Sequence, residues 1–197
     1  FADLPMFKDS RIYLAVEGGS SSVKLNSGGY NIAGDWYNEG SDKDDEAILA
    51  AKVGIDLGSI RFDLAYRNYQ DLNHTTLGVY NTYQYHSKTD LQTFMLTAYY
   101  DVPVTEVSAF YVGLGCGVAD IETDVTDFVV SGSESSTSFA WQIEIGVEYS
   151  FTNRLSAYGG LRYVDLGVND VTLDYSLGNY EADYSSAEMF AGLRFTI

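Results

Sequence analysis

His74 and His86 are the only side chains whose ordinary titration falls near neutrality, and both sit in one polar, tyrosine-rich stretch between Asn73 and Asp90. General-base work would need one of them beside a nucleophile, with an acid to orient the ring. No histidine follows residue 86 to build such a set later in the chain, so both read as exposed loop histidines. The acidic run Asp42, Asp44, Asp45 and Glu46 offers carboxylates to a cation. It lacks the spaced ligands and turn glycine of a calcium loop, and reads as a solvated charge run. Asp120, Glu122 and Asp124 recur at strand spacing, where they could share divalent ions with lipid phosphates. Asn73-His74-Thr75 fits a glycosylation pattern, and Cys116, the single cysteine, excludes an intrachain disulfide. None of these amounts to a catalytic, cofactor or metal site, and the chain is not expected to be an enzyme.

The acids and bases inside the alternating runs say more. FAWQIEIGVEYSF, Phe139 to Phe151, places Phe139, Trp141, Ile143, Ile145, Val147, Tyr149 and Phe151 on one face and Gln142, Glu144, Gly146 and Glu148 on the other. Successive side chains of a strand point to opposite sides, so the two surroundings of this strand differ sharply. Aromatics and aliphatics on one side with glutamates and glycine on the other suit a strand that faces lipid outside and a polar barrel interior inside.

The whole chain repeats the idea. Strands are expected at Arg11 to about Leu25, Ala47 to Leu57, Ile60 to Leu72, Leu91 to Val102, Val107 to about Asp124, Ser138 to Phe151, Leu155 to about Val168, and Tyr184 to Ile197. Between them lie long connections at about 26–46, 73–90, 125–137 and 169–183, alternating with short turns near Gly58, Pro103 and Asn153. An outer-membrane barrel has short turns on one side and long loops on the other. The expected fold is therefore all-β: a closed, eight-stranded, antiparallel up-and-down transmembrane barrel filling residues 1–197 as one domain. Phe1 to Ser10 would be a periplasmic segment, lacking the basic start and apolar core of a signal peptide, so an exported chain would already have lost its leader. No apolar run approaches the roughly 20 residues of a membrane helix, whereas a barrel strand needs only about 9–11 with every second one apolar. Outward aromatics gather near the short turns, at Phe62, Tyr100, Phe110, Tyr149, Phe151 and Phe195, where interfacial rings belong.

Parity sends Arg11, Lys52, Arg61, Arg67, Arg162 and Arg194 inward, together with Glu17, Asp56, Asp63, Asp101, Glu144, Glu148 and Glu188. The chain has only 11 Lys and Arg against 28 Asp and Glu, so over half of its positive charge lies on the inner face. Counting outward from Asn153 sets Glu144 across from Arg162. A lumen of eight strands is just wide enough for side chains to fill, so these groups are expected to form a plug of ion pairs, with inward glycines making room. The net charge of -17 argues against nucleic acid or an anionic membrane surface as partner. Loop aromatics exceed what solubility needs, and Trp36, Tyr37, Tyr83, Tyr85 and Tyr180 are candidate contact residues.

LTAYYDVPV (96–104), FYVGLGCGVA (110–119), FAWQIEIGVEYSF, TNRLSAYGGLRYVDLG (152–167) and the closing AGLRFTI together resemble the opacity-like outer-membrane beta-barrel family. Tyr100-Asp101, the Tyr-x-Gly-x-Gly-x-Gly from Tyr111, Gly146-Val-Glu-Tyr and Gly160-Leu-Arg-Tyr recur there in order. Gly192, Phe195 and Ile197 resemble the C-terminal assembly signal, with isoleucine where an aromatic is usual. Members, like the transmembrane domain of outer-membrane protein A, are eight-stranded barrels whose outer loops meet host or environment. The resemblance implies a monomer in the bacterial outer membrane, termini periplasmic and long loops extracellular, touching lipid and lipopolysaccharide. Two non-catalytic roles stand open, adhesion or ligand contact through the loop aromatics and a purely structural role in the envelope. A small ion-conducting pore and an outer-leaflet lipid-modifying enzyme are the alternatives.

Overall fold

The computed structural model describes residues 10–32, 35–39, 43–77, 84–126, 131–172 and 179–197, with side chains described over 10–24, 45–69, 91–120, 136–167 and 184–197. The strands are β1 (Arg11–Ile32), β2 (Asp35–Glu39), β3 (Lys43–Asp56), β4 (Ile60–Leu77), β5 (Gln84–Pro103), β6 (Ser108–Thr126), β7 (Ser131–Ser150), β8 (Leu155–Thr172) and β9 (Asn179–Thr196). All pair antiparallel, and β9 closes onto β1 from Tyr13↔Thr196 up to Asn31↔Asn179. Eight strands make the cylinder; β2 is a short ribbon on the upper end of β1, through Gly28↔Glu39 to Ile32↔Asp35.

The short turns carry their own locks. Gly58 takes a positive φ of 95° and donates its N–H to Asp56 Oδ1 at 2.8 Å. Thr105 Oγ1 accepts from the N–H of Val107 and Ser108, and Thr152 Oγ1 accepts from Arg154 and Leu155 in the same way. Side-chain oxygens near a bend thus satisfy donors that the ladder leaves free.

At the other end the strands run further than hydropathy suggests. The expected connections at 26–46, 73–90, 125–137 and 169–183 are in large part strand, taken up by β2 and by extensions of β1 and β3 to β9. The reason is that backbone pairing needs no apolar side chain. Outside lipid both faces are wet, and stretches such as Ser131-Gly-Ser-Glu-Ser-Ser-Thr carry no period of two in hydropathy. Strands of 18–22 residues, as in β1 and β4, exceed the roughly 9–11 that cross a bilayer, so the cylinder continues beyond the apolar band.

The sides of the wall are inverted relative to a water-soluble sheet. Val16, Leu114 and Met189 point outward at 60, 62 and 66% exposure, while Arg67, Glu144 and Arg162 inside are at 0, 1 and 3%. An apolar outside around a charged inside is stable only if the outside is covered by hydrocarbon. The six aromatics near the short turns stand outward, and further aromatics on β4, β5, β7 and β8 mark the far edge of the band. There Tyr66 packs on Phe94 at 5.0 Å between centroids and Trp141 on Tyr163 at 5.8 Å, with Phe139 beside them.

An unheated sample in detergent should migrate faster on a gel than a boiled one, because the closed cylinder resists unfolding. Gly117→Val should abolish the fast band: a Cβ there would strike the Phe94 carbonyl and lie 2.9 Å from Met95 Cα, both backbone, where relief costs about 1–3 kcal/mol or more.

Candidate functional site

The site with the most ionisable groups is the lumen. Inward parity places Glu17, Lys52, Asp56, Arg61, Asp63, Arg67, Glu144, Glu148, Arg162, Glu188 and Arg194 inside the cylinder, all buried. They form layers along its axis.

Arg162 of β8 is the centre of the upper layer. Its Nε donates to Glu144 Oε2 at 2.8 Å, its Nη1 to Glu188 Oε2 at 2.7 Å and its Nη2 to Glu17 Oε1 at 2.8 Å. One planar guanidinium thus spends its fork on carboxylates from three strands, β7, β9 and β1. Two further cations balance them. Lys52 Nζ lies 2.8 Å from Glu17 Oε2, and Arg67 Nε lies 3.7 Å from Glu188 Oε2. Neutral groups take up what remains. Tyr69 Oη donates to Glu188 Oε1 at 2.5 Å, Arg67 donates to Thr93 Oγ1 and Gln142 Oε1, and Gln142 donates to Thr97 Oγ1. Lys52, Arg67 and Arg162 against Glu17, Glu144 and Glu188 make this layer neutral.

Nearer the short turns, Arg61 donates to Asp101 Oδ1 at 2.8 Å and Glu148 Oε2 at 3.2 Å, and Arg194 pairs with the other oxygen of Glu148. This lower layer also balances. At the mouth Arg11 meets Asp56 at 3.3 Å. The seventh interior acid, Asp63, has no base within ion-pair distance among the described residues, and accepts instead from Tyr13 Oη at 3.2 Å and Tyr99 Oη at 3.4 Å.

Between the ionic layers lies a tier of rings, and residue-by-residue reading of the sequence missed it. Tyr13, Tyr99, Tyr111 and Tyr158 sit across the ladder from Gly54, Gly113, Gly146 and Gly192 respectively. In each case a Cβ on the glycine would strike the ring of its partner. The inward glycines were expected to make room for long charged side chains; these four make room for phenols. A signal was present in the sequence, since each tyrosine and its glycine share inward parity, but only the register between strands pairs them. The rings also face the cations: Arg61 lies 5.0 Å from the centroid of Tyr99, Arg194 lies 5.2 Å from Tyr13, and Arg162 lies 4.2 Å from Phe190. Cation–π contact of this kind stabilises charge away from water. A cavity of about 10 Å³ remains in this tier, lined by Asp63, Tyr111 and Lys52 among others, room for about one water.

The other sequence candidates lie elsewhere. Trp36 and Tyr37 fall on the backbone of β2, Tyr85 on β5 and Tyr180 on β9, with side chains outside the described residues; Tyr83 lies wholly outside them. His74 and His86 fall opposite Ser87 and Thr75 on β4 and β5, their side chains likewise undescribed. Asp120 is exposed on the outer face and accepts from Thr137 Oγ1 at 3.3 Å. Cys116 also points outward.

The family described as "Outer membrane protein beta-barrel domain" matches residues 14–195. No curated protein sequence matches the chain. Among solved structures the chain is similar to Neisserial surface protein A, at 17% identity over 93% of this chain and 96% of that one, with a TM-score of 0.63. It is also similar to OprG from Pseudomonas aeruginosa, at 15% identity over 93% and 95%, with a TM-score of 0.61. A third is Ail, the attachment invasion locus protein of Yersinia pestis, solved with the heparin analogue sucrose octasulfate, at 12% identity over 93% and 99%, with a TM-score of 0.52.

Removing the central cation tests the arrangement. Arg162→Met should strand Glu144, leave the layer one negative charge out of balance and lower stability by about 3–5 kcal/mol in denaturant titrations of the barrel in micelles, whereas Arg162→Lys should recover part of the loss. Unchanged stability in Arg162→Met would mean the lumen is not organised around this residue.

Proposed function

The chain belongs to the outer membrane protein beta-barrel family, and from that membership we propose that it is a non-catalytic, sealed barrel of the bacterial outer membrane whose work is contact made at its long-loop end. The observation that carries the sealed barrel is Arg162 held by Glu17, Glu144 and Glu188 across the lumen. An ion entering there would have to break hydrogen-bonded pairs that lie away from water, at a cost of several kcal/mol, and the cavity in the ring tier has room for about one water molecule. The short turns face the periplasm and the long connections the exterior, in keeping with barrels of this kind. Lipid and lipopolysaccharide surround the apolar band.

Charge supports contact as the role and narrows the partner. The stretches 26–46, 73–90, 125–137 and 169–183 carry 13 acids against two bases, Lys43 and Lys88. Positive charge is spent inside, where it is neutralised, and the outer end is left strongly negative. A polyanion of the kind bound in the Ail structure would be repelled there, so the partner is cationic. Trp36, Tyr37, Tyr83, Tyr85 and Tyr180 supply apolar anchors among the carboxylates.

In planar bilayers the intact protein should give no stable conductance steps; regular steps would overturn the sealed lumen. Cells displaying the protein should adhere to polylysine-coated surfaces and not to heparin-coated ones, and the adhesion should fall in high salt and on shortening the stretches around Trp36, Tyr83 and Tyr180. Equal adhesion by displaying and loop-shortened strains would overturn the contact role.

A further inference from the structure

Three features of the lumen converge on the ring tier. Its cavity of about 10 Å³ is lined by Tyr13, Lys52, Asp63, Tyr99, Tyr111 and Glu144 among others. Tyr111 Oη is buried and has no hydrogen-bond partner among the described residues. Asp63, the acid with no base within ion-pair distance among those residues, borders the same space. The Tyr111 ring is held in place, seated over Gly146 across the β6–β7 ladder and meeting the Tyr99 ring edge-on at 5.8 Å between centroids. Fixing the ring fixes its oxygen.

A phenol held this way needs an acceptor that can reach it, because a buried O–H left unbonded costs free energy. Two carboxylates share the cavity. Asp63 accepts from Tyr13 at 3.2 Å and from Tyr99 at 3.4 Å, and a carboxylate with its two oxygens has acceptor directions to spare. Glu144 accepts from Arg162 through Oε2 at 2.8 Å, and its Oε1 lies 4.0 Å from Lys52 Nζ, beyond hydrogen-bond reach. The occupant that fits between them is neutral. Lys52, Arg61 and Arg194 line the cavity and repel a cation, while Asp63 and Glu144 repel an anion. A water suits the space and the partners, since it can accept one bond and donate two.

The route to this tier is one-sided. Side-chain exposure is 15% at Asp101 and 11% at Arg194 in the layer next to the short turns, and 0% at Arg162 and Glu188 in the layer above. Beyond that layer the inward groups turn apolar, with Ile48, Leu91, Ala119, Ala140, Val164 and Leu166 all buried. Solvent thus meets part-exposed charged groups from one end and a dry apolar stack from the other.

Resting on the reading of the lumen as sealed at the Arg162 layer, we propose that the ring tier holds one resident water, which accepts from Tyr111 Oη, donates to Asp63 and Glu144, and exchanges with solvent through the short-turn mouth alone. Such a water ties β4, β6 and β7 together across the bore.

The full chain in detergent micelles would be followed by oxygen-17 relaxation dispersion, which reports waters held longer than the particle tumbles, and by magnetisation transfer from water to the Tyr111 ring. Wild-type protein should show one more long-lived water than Tyr111→Phe, which keeps the ring over Gly146 and removes the hydroxyl, and a water cross-peak at Tyr111. Equal dispersion in the two proteins would overturn the site, as would wild-type protein without the cross-peak, a reading that needs no variant to fold. Asp101→Asn should shorten the residence time of this water several-fold by loosening Arg61 at the mouth, and Leu91→Ala, above the Arg162 layer, should leave it unchanged. The opposite pattern would overturn one-sided access. A melting temperature that rises when sodium replaces N-methylglucamine at constant ionic strength, in wild-type protein and not in Tyr111→Phe, would show a sodium ion in the cavity and overturn water as the occupant. Conductance steps in planar bilayers beside an intact Tyr111 difference would overturn the sealed lumen and the one-sided route, and leave the water site standing.

Discussion

A strand that crosses hydrocarbon leaves its N–H and C=O groups with no water to turn to, so every one must find a backbone partner. That requirement is why β9 returns to β1 through one of the longest ladders in the molecule, from Tyr13↔Thr196 to Asn31↔Asn179, and leaves no edge inside the apolar band. Closure then fixes the bore. Eight strands enclose only enough room for side chains, so whatever points inward must pack on itself.

Packing charge on charge in a dry bore works only if the signs balance and the hydrogen-bonding directions are used. The layering balances the signs and uses most of the donor directions, leaving Arg194 Nε and Nη1 and Tyr111 Oη without a hydrogen-bond partner among the described residues. Arg162 gives its donors to three carboxylates, Arg61 and Arg194 settle the lower layer, and the odd acid Asp63 is held by two phenols. The tyrosine tier separates the two ionic layers, and the glycines opposite its rings give the width that a cylinder of this size lacks.

The same economy shapes the outside. With five of its 11 bases buried in the lumen, the chain presents an outer end that is almost wholly acidic, above a band with outward aromatics at both edges. Where lipid ends, so does the obligation to pair every backbone group. Among the described residues the β3–β4 and β7–β8 ladders end near there, at Ala47↔Gln70 and Trp141↔Asp165.

Much of this was legible from residue order alone. The alternation of FAWQIEIGVEYSF and its counterparts determined which side of each strand is apolar, the rhythm of long and short connections determined the up-and-down order, and counting from Asn153 set Glu144 across from Arg162, because a hairpin's register follows from its turn. Tertiary structure alone decided what joins Arg162 from afar, Glu17 from the first strand and Glu188 from the last; that each tyrosine of the middle tier meets a glycine; and that polar stretches beyond Leu25 or Asp124 continue as strand. Side-chain parity is a local property that each strand writes for itself. The stagger between strands distant in sequence is settled only when the cylinder closes, and with it which inward groups share a layer.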